Sequence, residues 1–482
     1  MTKFQNYING KLQDAADNSW IDVLNPVTGE VVYQVPNSGP KEIDAAIEAA
    51  ATAQKSWAKV NINERGAYIK RLAAKIVEKS EKIGVVLATE NGKPLSQAVG
   101  EINGVAGLVE YHSAWDRRME GEIHPGDNNN KENILLLKEP IGVVASITPW
   151  NAPIYVFFRK VAPALMAGCT LICKPSSDTP ASTLMLAELF EELEFPKGVV
   201  NIVSGRGSVF GEAVANDPRV NMITMTGSGE TGKSILRKSA ENLCKVSLEL
   251  GGKAPAIVME DADLDLAADC ISAGRIANAG QICNCTERLY VQESIAETFI
   301  EKLKIRMEAA EFGDGMKNPD IAMGSLINKE AQQRVHGMVE RAVAQGAKLI
   351  LGGALPDGPG AFYPATLLTN VKQDQEIVQE EVFGPVLPIL TFKNPAEALA
   401  LANDCKYGLT SALYTSNYNT VMLFANNIEF GELYVNRVQG EAYQGFHAGW
   451  KLSGIGGDDG KHGFEEFLQT RNVYLDYQTD LY

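Results

Sequence analysis

Ile141-Gly142-Val143-Val144-Ala145-Ser146-Ile147-Thr148-Pro149-Trp150-Asn151 is a short apolar run that stops abruptly at a polar, turn-forming end. A run of this length, rich in β-branched residues and bounded by Gly and Pro, predicts a buried strand. The same pattern then repeats. Helical spacing over 155–166 is followed by a strand at 170–173, a helix at 181–193, a strand at 199–203, a helix at 209–215 and a strand at 222–225. Short apolar strands alternating with helices predict an α/β chain built on a parallel sheet. In such sheets ligands sit at the carboxyl ends of the strands. Polar residues gather there, at Thr148 to Asn151, Lys174-Pro175-Ser176-Ser177, Ser204-Gly205-Arg206-Gly207 and Thr226-Gly227-Ser228, which outlines a nucleotide crevice.

Upstream, residues 6–35 alternate in short pieces broken by Asn9-Gly10, Asn25-Pro26 and Thr28-Gly29, the pattern of hairpin strands. Residues 40–97 turn helical. The segment 119–138, with Asp127 to Asn130 as an expected turn between extended pieces, reads as an excursion able to pair with another chain. At 482 residues the chain exceeds one compact core and predicts two or three domains. A net charge of -16 argues against nucleic acid as a partner, and no stretch approaches the roughly 20 apolar residues of a membrane span. Seven cysteines, an odd number without metal-ligand spacing, predict a reducing compartment, so a cytoplasmic protein with no metal site is expected.

Gly227-Ser228-Gly229-Glu230-Thr231-Gly232-Lys233-Ser234 matches two patterns at once, the dinucleotide glycine fingerprint and the phosphate loop of an NTPase. Glu260 and Asp261, after an apolar run, could supply the magnesium-binding acid of the second. Against an NTPase, the loop falls on about the fourth strand and leaves Cys283 and Asn151 without a role. Asp261, Asp263 and Asp265 lack the glycine of a calcium loop and are expected to open a helix. Cys283 itself lies in the polar connection Ala279 to Arg288, between a helix over 267–278 and a strand over 288–291. A cysteine becomes a nucleophile only as its thiolate, from an unperturbed pKa of about 8.5.

Five motifs occur in one order: Pro149-Trp150-Asn151, Lys174-Pro175-Ser176, Leu248-Glu249-Leu250-Gly251-Gly252-Lys253, the Cys283 segment, and Glu380-Glu381-Val382-Phe383-Gly384-Pro385. Together they resemble the aldehyde dehydrogenase superfamily over essentially the whole chain. The tail Gln444 to Gly457, containing Gly445-Phe446-His447-Ala448-Gly449-Trp450, is most similar to the lactaldehyde and glycolaldehyde dehydrogenase branch.

The resemblance implies a Rossmann-type parallel-sheet cofactor domain (1–118 and 139–250), an α/β catalytic domain (251–455) and a small β oligomerisation arm (119–138 and 456–482), assembling as a homodimer or homotetramer. It implies that Cys283 attacks the aldehyde to form a thiohemiacetal, with Cys285 a bystander. Asn151 and the Cys283 N–H hold the oxyanion, and Glu249 activates water to release the acid from a thioester. CoA-acylating relatives lack that base. NAD or NADP is the implied cofactor, its site made by Thr148, Pro149, Trp150, Lys174, Ser176, Ser177, Gly207, Gly227, Ser228, Leu250, Glu381 and Phe383. NAD-specific relatives carry a glutamate where this chain has Ser177, so NADP use is expected. Arg159, Asn284, Arg334, Glu441 and His447 are expected to form a polar entrance for a short hydroxylated aldehyde. A semialdehyde dehydrogenase, in which Arg159 or Arg334 clamps a carboxylate, is the alternative among enzymes. The NTPase and a noncatalytic nucleotide-binding or structural protein are the alternatives of another class.

Overall fold

The computed structural model describes residues 2–128 and 131–478, so Asn129 and Asn130 of the expected turn lie outside the described residues. Two sheets carry the chain. The first has five parallel strands, in spatial order Lys245–Glu249, Met222–Thr226, Val143–Ile147, Thr170–Lys174 and Val200–Ile202. The Asn6–Ile8 and Lys11–Gln13 hairpin extends one edge, and Gly454–Ile455 adds antiparallel to the other. The sequence order across the five is therefore 5-4-1-2-3, and it reverses between Val143–Ile147 and Met222–Thr226. That reversal is the topological switch point at which doubly wound sheets open a crevice.

These strands read as continuous apolar runs because helices cover both faces; all five residues of Thr170–Lys174 and of Met222–Thr226 are buried. The Pro153–Ala167 helix follows the first strand, with Pro153 in its first turn and Gly168 closing it in the left-handed conformation. The helix expected over 181–193 is two short pieces, Pro180–Met185 and Ala187–Glu192. Asp263 caps the Leu264–Ile276 helix by accepting the N–H groups of Asp265 and Leu266, the role expected of those acids.

At Gly251 the chain passes to a second sheet of seven strands, with Ala254–Val258 and Thr286–Gln292 paired at its centre. Its core joins Ile257, Tyr290, Leu367, Leu387 and Leu413. A third, three-stranded sheet pairs Glu132–Pro140 with Glu122–Pro125 on one side and Leu468–Asp476 on the other. The tail is more divided than the boundaries 251–455 and 456–482 assume. Gly454 and Ile455 pair with Glu249 and Leu248 in the first sheet, and Phe464 of the following helix stacks on Trp115; only Leu468–Asp476 joins the third sheet. Backbone pairing and aromatic burial set these contacts, and neither leaves a mark in local sequence. No helix among the described residues is long and apolar enough to cross a membrane.

Candidate active site

The two sheets meet at one cavity of about 560 Å3. Glu249 ends an interior strand of the first sheet, Asn151 lies in the turn after Val143–Ile147, and Cys283 sits on the loop before Thr286–Gln292. All three line that cavity.

The Cys283 loop is shaped by strain that hydrogen bonds offset. Asn278 and Ala279 have φ of 47° and 52°, left-handed values unusual for residues with side chains. Gln281, fully buried, donates to the Asn278 carbonyl at 2.9 Å and accepts the Ile327 N–H at 2.9 Å. Arg275, also fully buried, donates to the carbonyls of Thr286 and Gly280. Asn151 Nδ2 donates to the Gln281 carbonyl at 2.9 Å, which leaves its second amide hydrogen for another acceptor. The Asn151 backbone is held in turn by Lys93, whose ammonium donates to the Asn151 carbonyl at 2.8 Å and pairs with Glu101 at 2.6 Å. Glu101 also accepts the N–H groups of Ile154 and Tyr155 at the helix start.

Cys283 is half-buried at the surface of its cavity. Burial raises its thiol pKa, opposed by a hydrogen bond with His447. His447 is fully buried, with Nε2 against Glu249 Oε1 and Nδ1 at 3.1 Å from Glu432 and 3.2 Å from Glu441. Burial would lower the imidazolium pKa, but Glu249 and Glu441 override it and hold His447 cationic. Burial would likewise raise Glu249, yet His447 and Arg159 keep it well below the usual carboxylate range. Thr226 Oγ1 donates to Glu249 Oε2 at 2.7 Å. Arg159 lies 3.5 Å from Glu249, 3.4 Å from Glu441 and 2.8 Å from Asp459.

The expected polar entrance is thus a buried cluster. His447 is 0% exposed and Arg159 4% exposed, and together with Glu441 they pack beside the thiol and the base. Glycines and tight turns at 445–460 fold the tail inward over the first sheet, a long-range event that local polarity does not reveal. Asn284 lines the same cavity, with its carbonyl accepting from Thr410 Oγ1. Arg334 does not join the cluster: it is exposed, and its guanidinium donates to the Val382 carbonyl at 2.8 Å, on the Glu381–Phe383 side. Glu432, Lys160, Asp458 and Asp459 complete the cluster without having been singled out by sequence, while Thr226, expected only as a strand end, joins it through Glu249. Adjacent Asp458-Asp459 in a glycine-rich tail was the one available signal.

The other half of the cavity fits a dinucleotide. Thr148, Pro149, Trp150, Lys174, Ser176, Ser177, Gly207, Gly227, Ser228, Leu250, Glu381 and Phe383 all line it, around the strand-order reversal. Thr148 Oγ1 is buried without a hydrogen-bond partner, and Lys174, 3% exposed, makes no ion pair among the described residues. Burial lowers the Lys174 ammonium to about 8. The Gly229–Ser239 helix presents its N-terminus at Gly227 and Ser228, a ready place for a pyrophosphate. Glu381, its pKa raised by burial to about 7, accepts the Gly252 N–H at 2.8 Å, and Phe383 meets Trp150 edge-on at 5.4 Å. Glu287 holds this loop to the thiol loop: it accepts the Val382 and Phe383 N–H groups while pairing with Lys253 and Arg275.

The phosphate-loop alternative fails here. Lys233 pairs with Glu230 on an exposed helix face, and Asp261 belongs to the second sheet, where Thr415 and Ser416 donate to it.

The family model described as the aldehyde dehydrogenase family matches residues 12–473. Lactaldehyde dehydrogenase of Escherichia coli is 45% identical over 97% of this chain and 98% of its own length, and its crystal structure superposes with a TM-score of 0.97, covering 98% of this chain and 99% of that one. D-glyceraldehyde dehydrogenase (NADP(+)) of Thermoplasma acidophilum is 40% identical over 98% of this chain and 96% of its own. Betaine aldehyde dehydrogenase of Staphylococcus aureus, solved with NAD+, is 34% identical, covering 99% of this chain and 95% of that one, with a TM-score of 0.95. The chain belongs to the aldehyde dehydrogenase family, whose enzymes oxidise aldehydes with NAD or NADP.

Proposed function

We propose that this enzyme oxidises a short hydroxylated aldehyde, of the lactaldehyde or glycolaldehyde type, to the free carboxylic acid through a thioester on Cys283. The observation that carries this reading is Arg159: it lines the cavity that holds the thiol, and three carboxylates, Glu249, Glu441 and Asp459, already neutralise it from within 3.5 Å. A guanidinium so surrounded has no net charge to spend on a substrate carboxylate, whereas a neutral hydroxyl asks for none. That disfavours the semialdehyde alternative, and Arg334 lies on the cofactor side. The aldehydes for which the lactaldehyde and D-glyceraldehyde dehydrogenases are named, both hydroxyaldehydes, support the same choice.

His447, cationic next to the thiol, favours the thiolate. Cys283 sulfur attacks the carbonyl carbon, while the free Asn151 amide hydrogen and the Cys283 N–H receive the oxyanion. The bound NAD or NADP supplies the hydride acceptor. Glu249 then takes a proton from the water that hydrolyses the thioester. As long as His447 presses on Glu249 that carboxylate is a weak base, so a substrate hydroxyl that draws His447 away also restores its basicity. We assign Cys283, Glu249 and Asn151 the catalytic roles on this basis. Ser177, which donates to the Gly205 carbonyl at 3.2 Å, brings no carboxylate of its own to this end of the cavity, so NADP would be accepted along with NAD. The third sheet exposes Ile123, Leu137, Tyr474 and Leu475, a surface for pairing copies of the chain into a dimer or tetramer. The seven free thiols fit a reducing cytoplasm.

A panel of lactaldehyde, glycolaldehyde, acetaldehyde and succinate semialdehyde, each with NAD and NADP and read by reduced-cofactor absorbance, tests this. Hydroxyaldehydes are expected to exceed acetaldehyde in kcat/KM by at least about 100-fold. Equal rates for acetaldehyde, or a preference for the semialdehyde, would refute the substrate assignment; strict NAD dependence would refute the reading of Ser177.

A further inference from the structure

Asp459 pairs with Arg159 without itself lining the cavity, and is 1% exposed. Its backbone, at φ 68° and ψ 166°, occupies a region that glycine takes easily and other residues rarely do. Neither of its carboxylate oxygens takes part in an oriented hydrogen bond, and its ion pair is with Arg159 Nη2 at 2.8 Å. A buried charge that lacks hydrogen bonds and sits on a strained backbone is a poor source of stability. The surrounding segment nevertheless fixes it in place. His447 and Asp458 exchange backbone hydrogen bonds at 2.9 Å in both directions, Asp458 pairs with Lys160 at 2.8 Å, and the Gly463 N–H donates to the Asp459 carbonyl at 2.8 Å.

Asp459 is also the anion nearest to Arg159, closer than Glu441 or Glu249. Five carboxylates, Glu249, Glu432, Glu441, Asp458 and Asp459, face the three cations Arg159, Lys160 and His447. A substrate carboxylate entering this cluster would have to compete with Asp459, the carboxylate nearest to Arg159, for the same guanidinium.

We propose that Asp459 is a positioning and specificity-determining residue: it holds and neutralises Arg159, leaving the guanidinium free to donate to a neutral hydroxyl while denying it to an aldehyde that carries a carboxylate. This rests on the hydroxyaldehyde reading above and extends it to a residue that does not touch the substrate. Burial raises the Asp459 carboxyl to about 7 against the pull of Arg159, with Asp458, Glu441 and His447 also facing it, so the test is run at pH 8.5, where it is ionised.

The experiment compares full-length wild type, Asp459→Asn and Asp459→Gly on lactaldehyde and on succinate semialdehyde. In both variants the ratio of kcat/KM for the semialdehyde to that for lactaldehyde is expected to rise roughly 10- to 100-fold, the range of a charge-assisted hydrogen bond gained, and mainly through a lower semialdehyde KM. Asp459→Gly, which relieves the backbone, is expected to unfold at the same or a higher denaturant concentration while showing the same change of ratio. An unchanged ratio, with both substrates losing the same factor, would overturn the proposal alone, as would loss of the folded state in Asp459→Gly, because Asp459 would then be a structural residue. A wild type that already prefers the semialdehyde would overturn the hydroxyaldehyde reading, and the proposal with it.

Discussion

Glu287→Gln tests whether one buried carboxylate joins the two halves of the site. Glu287 is 1% exposed and pairs with Lys253 at 2.8 Å and Arg275 at 2.9 Å, both 0% exposed. Burial alone would raise its pKa, but Lys253 and Arg275 hold it at about 2, down from 4.5. At about 1.4 kcal/mol per pH unit, that difference corresponds to about 3 kcal/mol of stability. Breaking a buried pair by removing one charge costs about 3–5 kcal/mol from an independent direction, since Lys253 and Arg275 would be left buried and uncompensated. The pH dependence follows from the sign. The folded pKa lies below the unfolded one, so the contribution is complete above about pH 5.5 and is lost as pH falls from about 4.5 toward 2. Urea unfolding of wild type and Glu287→Gln at pH 7 is expected to differ by about 3 kcal/mol, and the gap to narrow at pH 4. The amide also cannot accept from Val382, Phe383, Lys253 and Arg275 together, so the Glu381–Phe383 loop loosens and the cofactor KM rises. A difference below about 1 kcal/mol at pH 7, well under the expected loss, with an unchanged cofactor KM would refute the reasoning.

Three other outcomes are expected. Asn151→Ala should lower kcat by roughly 100- to 1000-fold with little change in KM, because the lost donor acts on the oxyanion; single-turnover rates check it. The Lys174 ammonium, with a pKa of about 8, is present below that pH and lost above it, so the cofactor KM should climb between pH 8 and 9.5, and Lys174→Arg should flatten the climb. A flat wild-type profile would count against Lys174 as a cofactor ligand. His447→Ala should raise the KM for lactaldehyde and glycolaldehyde more than for acetaldehyde, since only the first two bring a hydroxyl to the buried cluster; an equal rise for all three would remove its substrate role.

Local sequence determined the parallel strands, because a strand covered by helices on both faces must be apolar along its length, as Thr170–Lys174 and Met222–Thr226 are. It also determined which turns line the cavity, since Asn151, Lys174, Gly227 and Glu249 lie at the ends of those strands and the chain's direction through the sheet leaves them at one rim. The resemblance named Arg159, Glu441 and His447 for the substrate side, but only the tertiary structure decided how they pair around the thiol and which further charges join them. His447, Arg159, Glu432, Glu441 and Asp459 come from a helix, a strand and a folded-back tail, and their pairing is a long-range electrostatic outcome: buried charges must find opposite charges, and nothing in a local window says which ones will be near. The same holds for Glu287, whose neighbours in sequence resemble any strand, and whose role appears only when Lys253, Arg275 and the Glu381–Phe383 loop are brought around it.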